Sequence, residues 1–139
     1  MFVKRFIYFL SLAFLLLING CNDNATVIQY DKSLQQLSCL RLVVFPPDKL
    51  ISDTLTDLYD FDENCSYELQ VSRKNSITCN SNQNADKKAL SNFPTGYIRM
   101  DLYKKRKLIY SYYRDLHAPL SKRDIQNAFS RLKSDLLSR

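Results

Sequence analysis

The sequence predicts an α+β fold: a single two-layer sandwich, with a mixed or antiparallel sheet of about four to five strands and two helices on one face. Three observations carry that expectation. The chain has 139 residues, 45% of them hydrophobic, which suits one packed core and leaves no room for a second. Apolar residues recur with period two across Tyr97–Tyr103, and with helical spacing at Ile125, Ala128, Phe129, Leu132 and Leu136. Segments of the two kinds follow in the order strand, helix, two strands, two strands, helix, and an α+β sandwich accommodates that order economically.

Leu40–Phe45 is a compact apolar, β-branched run closed by Pro46 and Pro47, and reads as a buried strand. Beyond the prolines, Leu50, Ile51, Leu55, Leu58 and Tyr59 recur at helical spacing. Asp48 suits the positive end of that helix's dipole, and the acidic stretch from Asp60 to Asn64 should end it. Tyr67–Val71 alternates as a strand, Arg73–Ser76 reads as a turn, and Ile77–Cys79 as a short return; 80–92 is a polar loop. In Tyr97–Tyr103 the residues Ile98, Met100 and Leu102 share one face. Lys104–Lys107 forms a basic turn and Leu108–Arg114 returns. A two-residue turn at Lys105-Arg106 would set Leu102 beside Ile109 and Asp101 beside Tyr110, although these residues lack the Asn-Gly chemistry that hairpins prefer. Tyr97, Arg99, Tyr103, Tyr110 and Tyr112 then form a tyrosine-rich, basic second face that the helices leave uncovered. Pro119 breaks the strand. Ser121, with Asp124 three residues on, opens the last helix in the manner of a capping box.

Composition excludes several functions. Gly20 and Gly96 are the chain's two glycines, too few for a phosphate-cradling loop or a dinucleotide fingerprint. His117, the single histidine, stands in a break between elements and reads as structural or solvent-exposed. Neither a Gly-x-Ser-x-Gly elbow nor a Cys-Gly motif occurs. Asp57, Asp60, Asp62 and Glu63 lack the glycine that a calcium loop needs at its sharp turn, and read as a solvated helix end. The expectation is a non-enzymatic protein with no cofactor and no metal.

Lys4 and Arg5 precede Phe6–Ile18, a charge-free run of 13 residues. That length fits a secretory signal, whereas a membrane-spanning helix needs about 20 apolar residues. The run ends in Leu17-Ile18-Asn19-Gly20-Cys21, which resembles the lipobox of bacterial lipoproteins: an aliphatic residue three before the cysteine and a small one just before it. Asn19 departs from the pattern, standing where Ala, Ser, Thr or an aliphatic residue is usual. The resemblance implies that residues 1–20 are a signal peptide and that Cys21 is lipidated. Asn22 rather than Asp follows the cysteine, which implies lipid anchoring in the outer membrane, facing the periplasm. Residues 21–36 then read as a tether and 37–139 as the periplasmic α+β domain.

Lipidation of Cys21 would leave Cys39, Cys65 and Cys79, and an oxidising compartment favours one disulfide among them. A Cys65–Cys79 bridge closes the shortest loop and is preferred, although a turn at Arg73-Lys74-Asn75 would not set those two directly opposite each other. Asp62-Glu63-Asn64-Cys65-Ser66 resembles the extended acceptor motif of bacterial N-linked glycosylation, which marks Asn64. Charge is unevenly spread: residues 21–72 carry three basic and nine acidic groups, and residues 73–139 carry fifteen and five. Such a chain either folds one half onto the other or presents a basic face to an anionic partner.

The partners expected are the membrane, through the N-terminal lipid, and an envelope protein; an anionic glycolipid is the alternative ligand, and display at the surface as an adhesin another role. Nucleic acid is excluded by the compartment. The candidate contact residues are Arg99, Tyr103, Lys104, Lys105, Arg106, Lys107, Tyr110 and Tyr112. The element order is similar in topology to that of the lipopolysaccharide-assembly lipoproteins of the LptE type, a resemblance that implies an assembly role.

Overall fold

Period-two alternation sorts the side chains of the computed structural model into a covered and an uncovered sheet face; the structure describes residues 24–34, 36–75 and 94–137. The strands are β1 (Thr26–Gln29), β2 (Arg41–Val44), β3 (Tyr67–Asn75), β4 (Gly96–Lys104) and β5 (Lys107–Leu116), and the helices are α1 (Lys49–Leu58) and α2 (Lys122–Leu136). They form an α+β fold: a five-stranded mixed sheet in the order β1-β5-β4-β3-β2, with the two helices packed together. Every neighbouring pair is antiparallel except β2 and β3. A parallel pair needs a crossover connection, and α1 supplies it.

Local chemistry sets both helix starts. The Asp48 carboxylate accepts a hydrogen bond from the Ile51 backbone N–H at 3.1 Å. At α2, Ser121 Oγ accepts from the Asp124 N–H at 3.2 Å while Asp124 Oδ2 accepts from the Ser121 N–H at 3.0 Å. This is the capping box expected from the sequence, and such a cap is worth ~1 kcal/mol. The stripe Ile125, Ala128, Phe129, Leu132 and Leu136 is buried as one face. It joins Ile51 and Leu55 of α1 and Leu69, Val71, Ile98, Met100 and Leu102 of the sheet in one core.

Three sequence expectations are overturned here. First, Thr26–Gln29, within the span read as a tether, is an edge strand paired with β5; its Thr-Val-Ile alternation is only four residues long. Second, Arg73, Lys74 and Asn75, read as a turn, continue β3 opposite Ile98, Tyr97 and Gly96. Arg73 lies on the helix side and pairs with the cap residue Asp48. A side chain at Gly96 would collide with the Lys74 carbonyl, so close approach of backbones demands glycine there. The expected return strand Ile77–Cys79 and the 80–92 loop lie outside the described residues.

The third correction concerns the tyrosines. The turn is at Lys105-Arg106 as expected, but a bulge follows: Tyr103 pairs with Leu108 and Leu102 with Tyr110, leaving Ile109 between them. A one-residue slip moves every later side chain to the opposite face. Tyr110 and Tyr112 therefore point to the helix side and are fully buried, so neither is available to a partner. The Tyr110 hydroxyl donates to Asp135 Oδ2 at 2.9 Å, and Arg131 Nε holds the same carboxylate at 3.0 Å.

Burial, and then the adjacent Asp135 carboxylate, push the Tyr110 hydroxyl well above the ordinary tyrosine range. The unfolded chain releases this proton at about pH 10 while the folded chain keeps it. Its contribution to stability is therefore full below about pH 10 and declines as pH rises further. Urea titrations at neutral and alkaline pH should show that decline in the parent protein and a flatter one in Tyr110→Phe. The variant should also lose about 1.5–3 kcal/mol at neutral pH, the worth of a hydrogen bond to a charged acceptor.

Candidate functional site

The uncovered sheet face carries a groove of about 680 Å³ at the end where the β4–β5 turn lies. Its floor follows from register. Arg41 of β2, Glu68 of β3 and Tyr103 of β4 stand in one cross-strand row, and Gln70 lies one pleat further along β3. Arg41 pairs with Glu68, whose second oxygen accepts from Gln70 Nε2 at 2.6 Å. The floor is thus a line of planar polar groups beside one half-buried aromatic ring.

One wall is the segment 63–66, which brings Asn64 to the groove. This wall is braced by the Cys39–Cys65 disulfide and by the Asp62 backbone N–H donating to the Leu40 carbonyl at 2.9 Å. The disulfide differs from the Cys65–Cys79 bridge preferred from loop length. Parallel pairing is the reason: with Arg41 opposite Glu68, the residues leading into β2 and β3 lie side by side. Cys21 and Cys79 lie outside the described residues.

The other wall is the turn itself. Lys105 and Arg106 adopt φ of 49° and 67°, the left-handed pair that a two-residue hairpin requires and that Asn-Gly adopts more readily. Each left-handed non-glycine residue costs about 1 kcal/mol. No carboxylate among the described residues lies within ion-pair distance of either side chain. Replacing the pair by Asn-Gly should therefore raise stability by about 1 kcal/mol, read as a higher urea midpoint, while removing two cations from the groove.

The remaining candidates are distributed around this wall. Lys104 is exposed with its ammonium 5.0 Å from the Tyr67 ring centroid, and the Tyr67 hydroxyl raises its pKa. Lys107 is exposed. Arg99 lies on the same sheet face but outside the groove, where Asp101 binds its Nε at 2.7 Å and raises its pKa. Asp101, almost fully buried, also accepts from Ser111 Oγ at 2.6 Å. This face is therefore not the basic surface anticipated, since Asp101, Glu68 and Asp115 share it with Arg99, Arg41 and Lys74. Ion pairs from Arg73 to Asp48 and from Lys122 to Asp57 join the basic and acidic halves of the chain.

Arg41, Glu68 and Gln70 are not singled out in the sequence, and Glu63 enters there only as part of a solvated acidic helix end. The visible signals were a lone arginine inside the apolar Leu40–Phe45 run and the polar alternation of Glu68 and Gln70. His117 is exposed and lines a separate depression of about 300 Å³ with Asn75, Thr95, Ala118 and Pro119. Among the described residues, no group of three or more His, Cys, Asp or Glu is placed to hold a metal ion, and no helix is long and apolar enough to cross a membrane. Compared with protein family models, curated proteins and solved structures, the chain matches none.

Proposed function

We propose that this is a lipid-anchored outer-membrane protein without enzymatic activity, which binds another envelope component through the hairpin end of its sheet. The anchor rests on the lipobox-like residues ending at Cys21. β1 begins five residues later, at Thr26, a span of ~17 Å at most. Thr26 stands opposite Tyr113, and β1 runs from there toward the Lys105-Arg106 turn. Tyr113 is six positions along β5 from Lys107, so the turn lies ~20 Å beyond the point where the chain enters the sheet. The groove is thus at the end of the sheet remote from the point where the chain enters it.

The observation that carries the reading is the left-handed cationic turn. Strained backbone held where a relaxed sequence would serve is a mark of functional sites, and here the strain keeps two cations beside a groove. A photo-crosslinking side chain at position 105 in intact cells should trap one envelope component as an adduct heavier than the monomer, while the same group at position 117 should not. Monomer alone from position 105 would overturn the reading. The anchor is tested separately: Cys21→Ser should abolish labelling by radioactive palmitate and release the protein from membranes.

A further inference from the structure

We infer that the groove between the 63–66 wall and the Lys105-Arg106 turn binds an anionic saccharide. The inference rests on the proposed envelope-binding role and names the chemistry of the component bound. At about 680 Å³ the groove falls within the range of small-ligand sites, roughly 300–1,000 Å³. It suits a short oligomer better than a folded partner. Beside the Tyr103 ring its floor is polar, with Arg41, Glu68 and Gln70 in a hydrogen-bonded line. An acyl chain or the apolar face of a helix laid there would strip water from these groups and return no hydrogen bonds. Vicinal hydroxyls and acetamido groups return them, because guanidinium, carboxylate and amide each present two polar atoms in one plane.

Tyr103 completes the match. It stands in the same cross-strand row as Arg41 and Glu68, and its ring offers a flat apolar patch amid polar neighbours. A pyranose has the same division, with one C–H face and a rim of hydroxyls, so it can stack on the ring while its rim meets the floor. The anionic requirement comes from the turn. Arg41 is neutralised by Glu68, whereas Lys105 and Arg106 meet no carboxylate among the described residues. A carboxylate or phosphate on the sugar would fill that position.

Full-length lipidated protein in nanodiscs, titrated calorimetrically, tests this with two probes of shared chemistry. One is the soluble disaccharide of N-acetylglucosamine and N-acetylmuramic acid; the other is a phosphorylated glucosamine disaccharide carried on a lipid. Saturable binding of either supports the inference, and their relative affinity says whether the saccharide comes from a wall glycan or from a glycolipid. Chitobiose, which lacks the charge, should bind roughly tenfold more weakly, as should the charged probe to Tyr103→Ala or to Lys105→Glu/Arg106→Glu; tenfold is 1.4 kcal/mol. Tyr97→Ala, on the same face but outside the groove, should leave affinity unchanged. Circular dichroism confirms that each variant is folded. Binding of neither saccharide, equal binding by all variants, equal binding of inorganic phosphate, or preference for a polyglutamate peptide would each overturn the inference. None of those results would touch the anchor, which stands or falls on the palmitate experiment.

Discussion

Phe129→Ala should destabilise the domain by ~4 kcal/mol, within the range for emptying a buried aromatic site. Phe129 is 1% exposed. Its ring lies 5.8 Å from that of Tyr59 and 6.0 Å from that of Phe61, so it carries the contact between α2 and the end of α1. Domains of this size are stable by about 5–15 kcal/mol, and the variant would forfeit a large part of that. A fall in melting temperature on the order of 15 °C is the expected reading. Phe129→Leu, which refills most of the space, should cost about 1–2 kcal/mol. If both variants melted with the parent, the two helices would not share the core described above.

Breaking the Cys39–Cys65 bridge should have an effect of comparable size. The cysteines are 26 residues apart, and the chain-entropy relation gives ~3.5 kcal/mol for a loop of that length. Cys39→Ala/Cys65→Ala, compared with the oxidised parent in urea, should show that loss, and reduction of the parent should reproduce it. Cys79→Ala should leave stability unchanged. The reverse pattern, with Cys79 critical and Cys39 silent, would restore the connectivity that loop length favours. Because Cys65 braces one wall of the groove, the double variant should also bind the proposed saccharide more weakly than its loss of stability alone explains.

The parts of the fold that were legible in the sequence are those set by neighbouring residues. Ser121 and Asp124 announced the α2 cap, Asp48 lay at the start of α1, and Ile98, Met100 and Leu102 showed their common face. What was not legible depends on contacts between distant segments. β1 is four residues long, and its half-buried alternation has meaning only beside β5. The Ile109 bulge reversed the faces of Tyr110 and Tyr112 without any mark in composition. The disulfide follows from the parallel register of β2 and β3, which loop length does not encode. Of the residues lining the groove, Tyr103, Lys105 and Arg106 stand among the contact candidates read from the sequence, whereas Asn64 is marked there by a glycosylation motif. Arg41, Glu68 and Gln70 are brought to it by strand order.

That strand order also constrains when folding can finish. Thr26 has its partner at Tyr113, and Leu37 bonds to Leu136 near the far end of the chain. Neither end of the sequence can settle before the other has been delivered, and such non-local pairing folds slowly. A chain threaded through an export channel from its N-terminus would stay unstructured until almost all of it had crossed. Under the export proposed above, this delay would keep the segment after residue 20 accessible to processing enzymes before the sheet closes around β1.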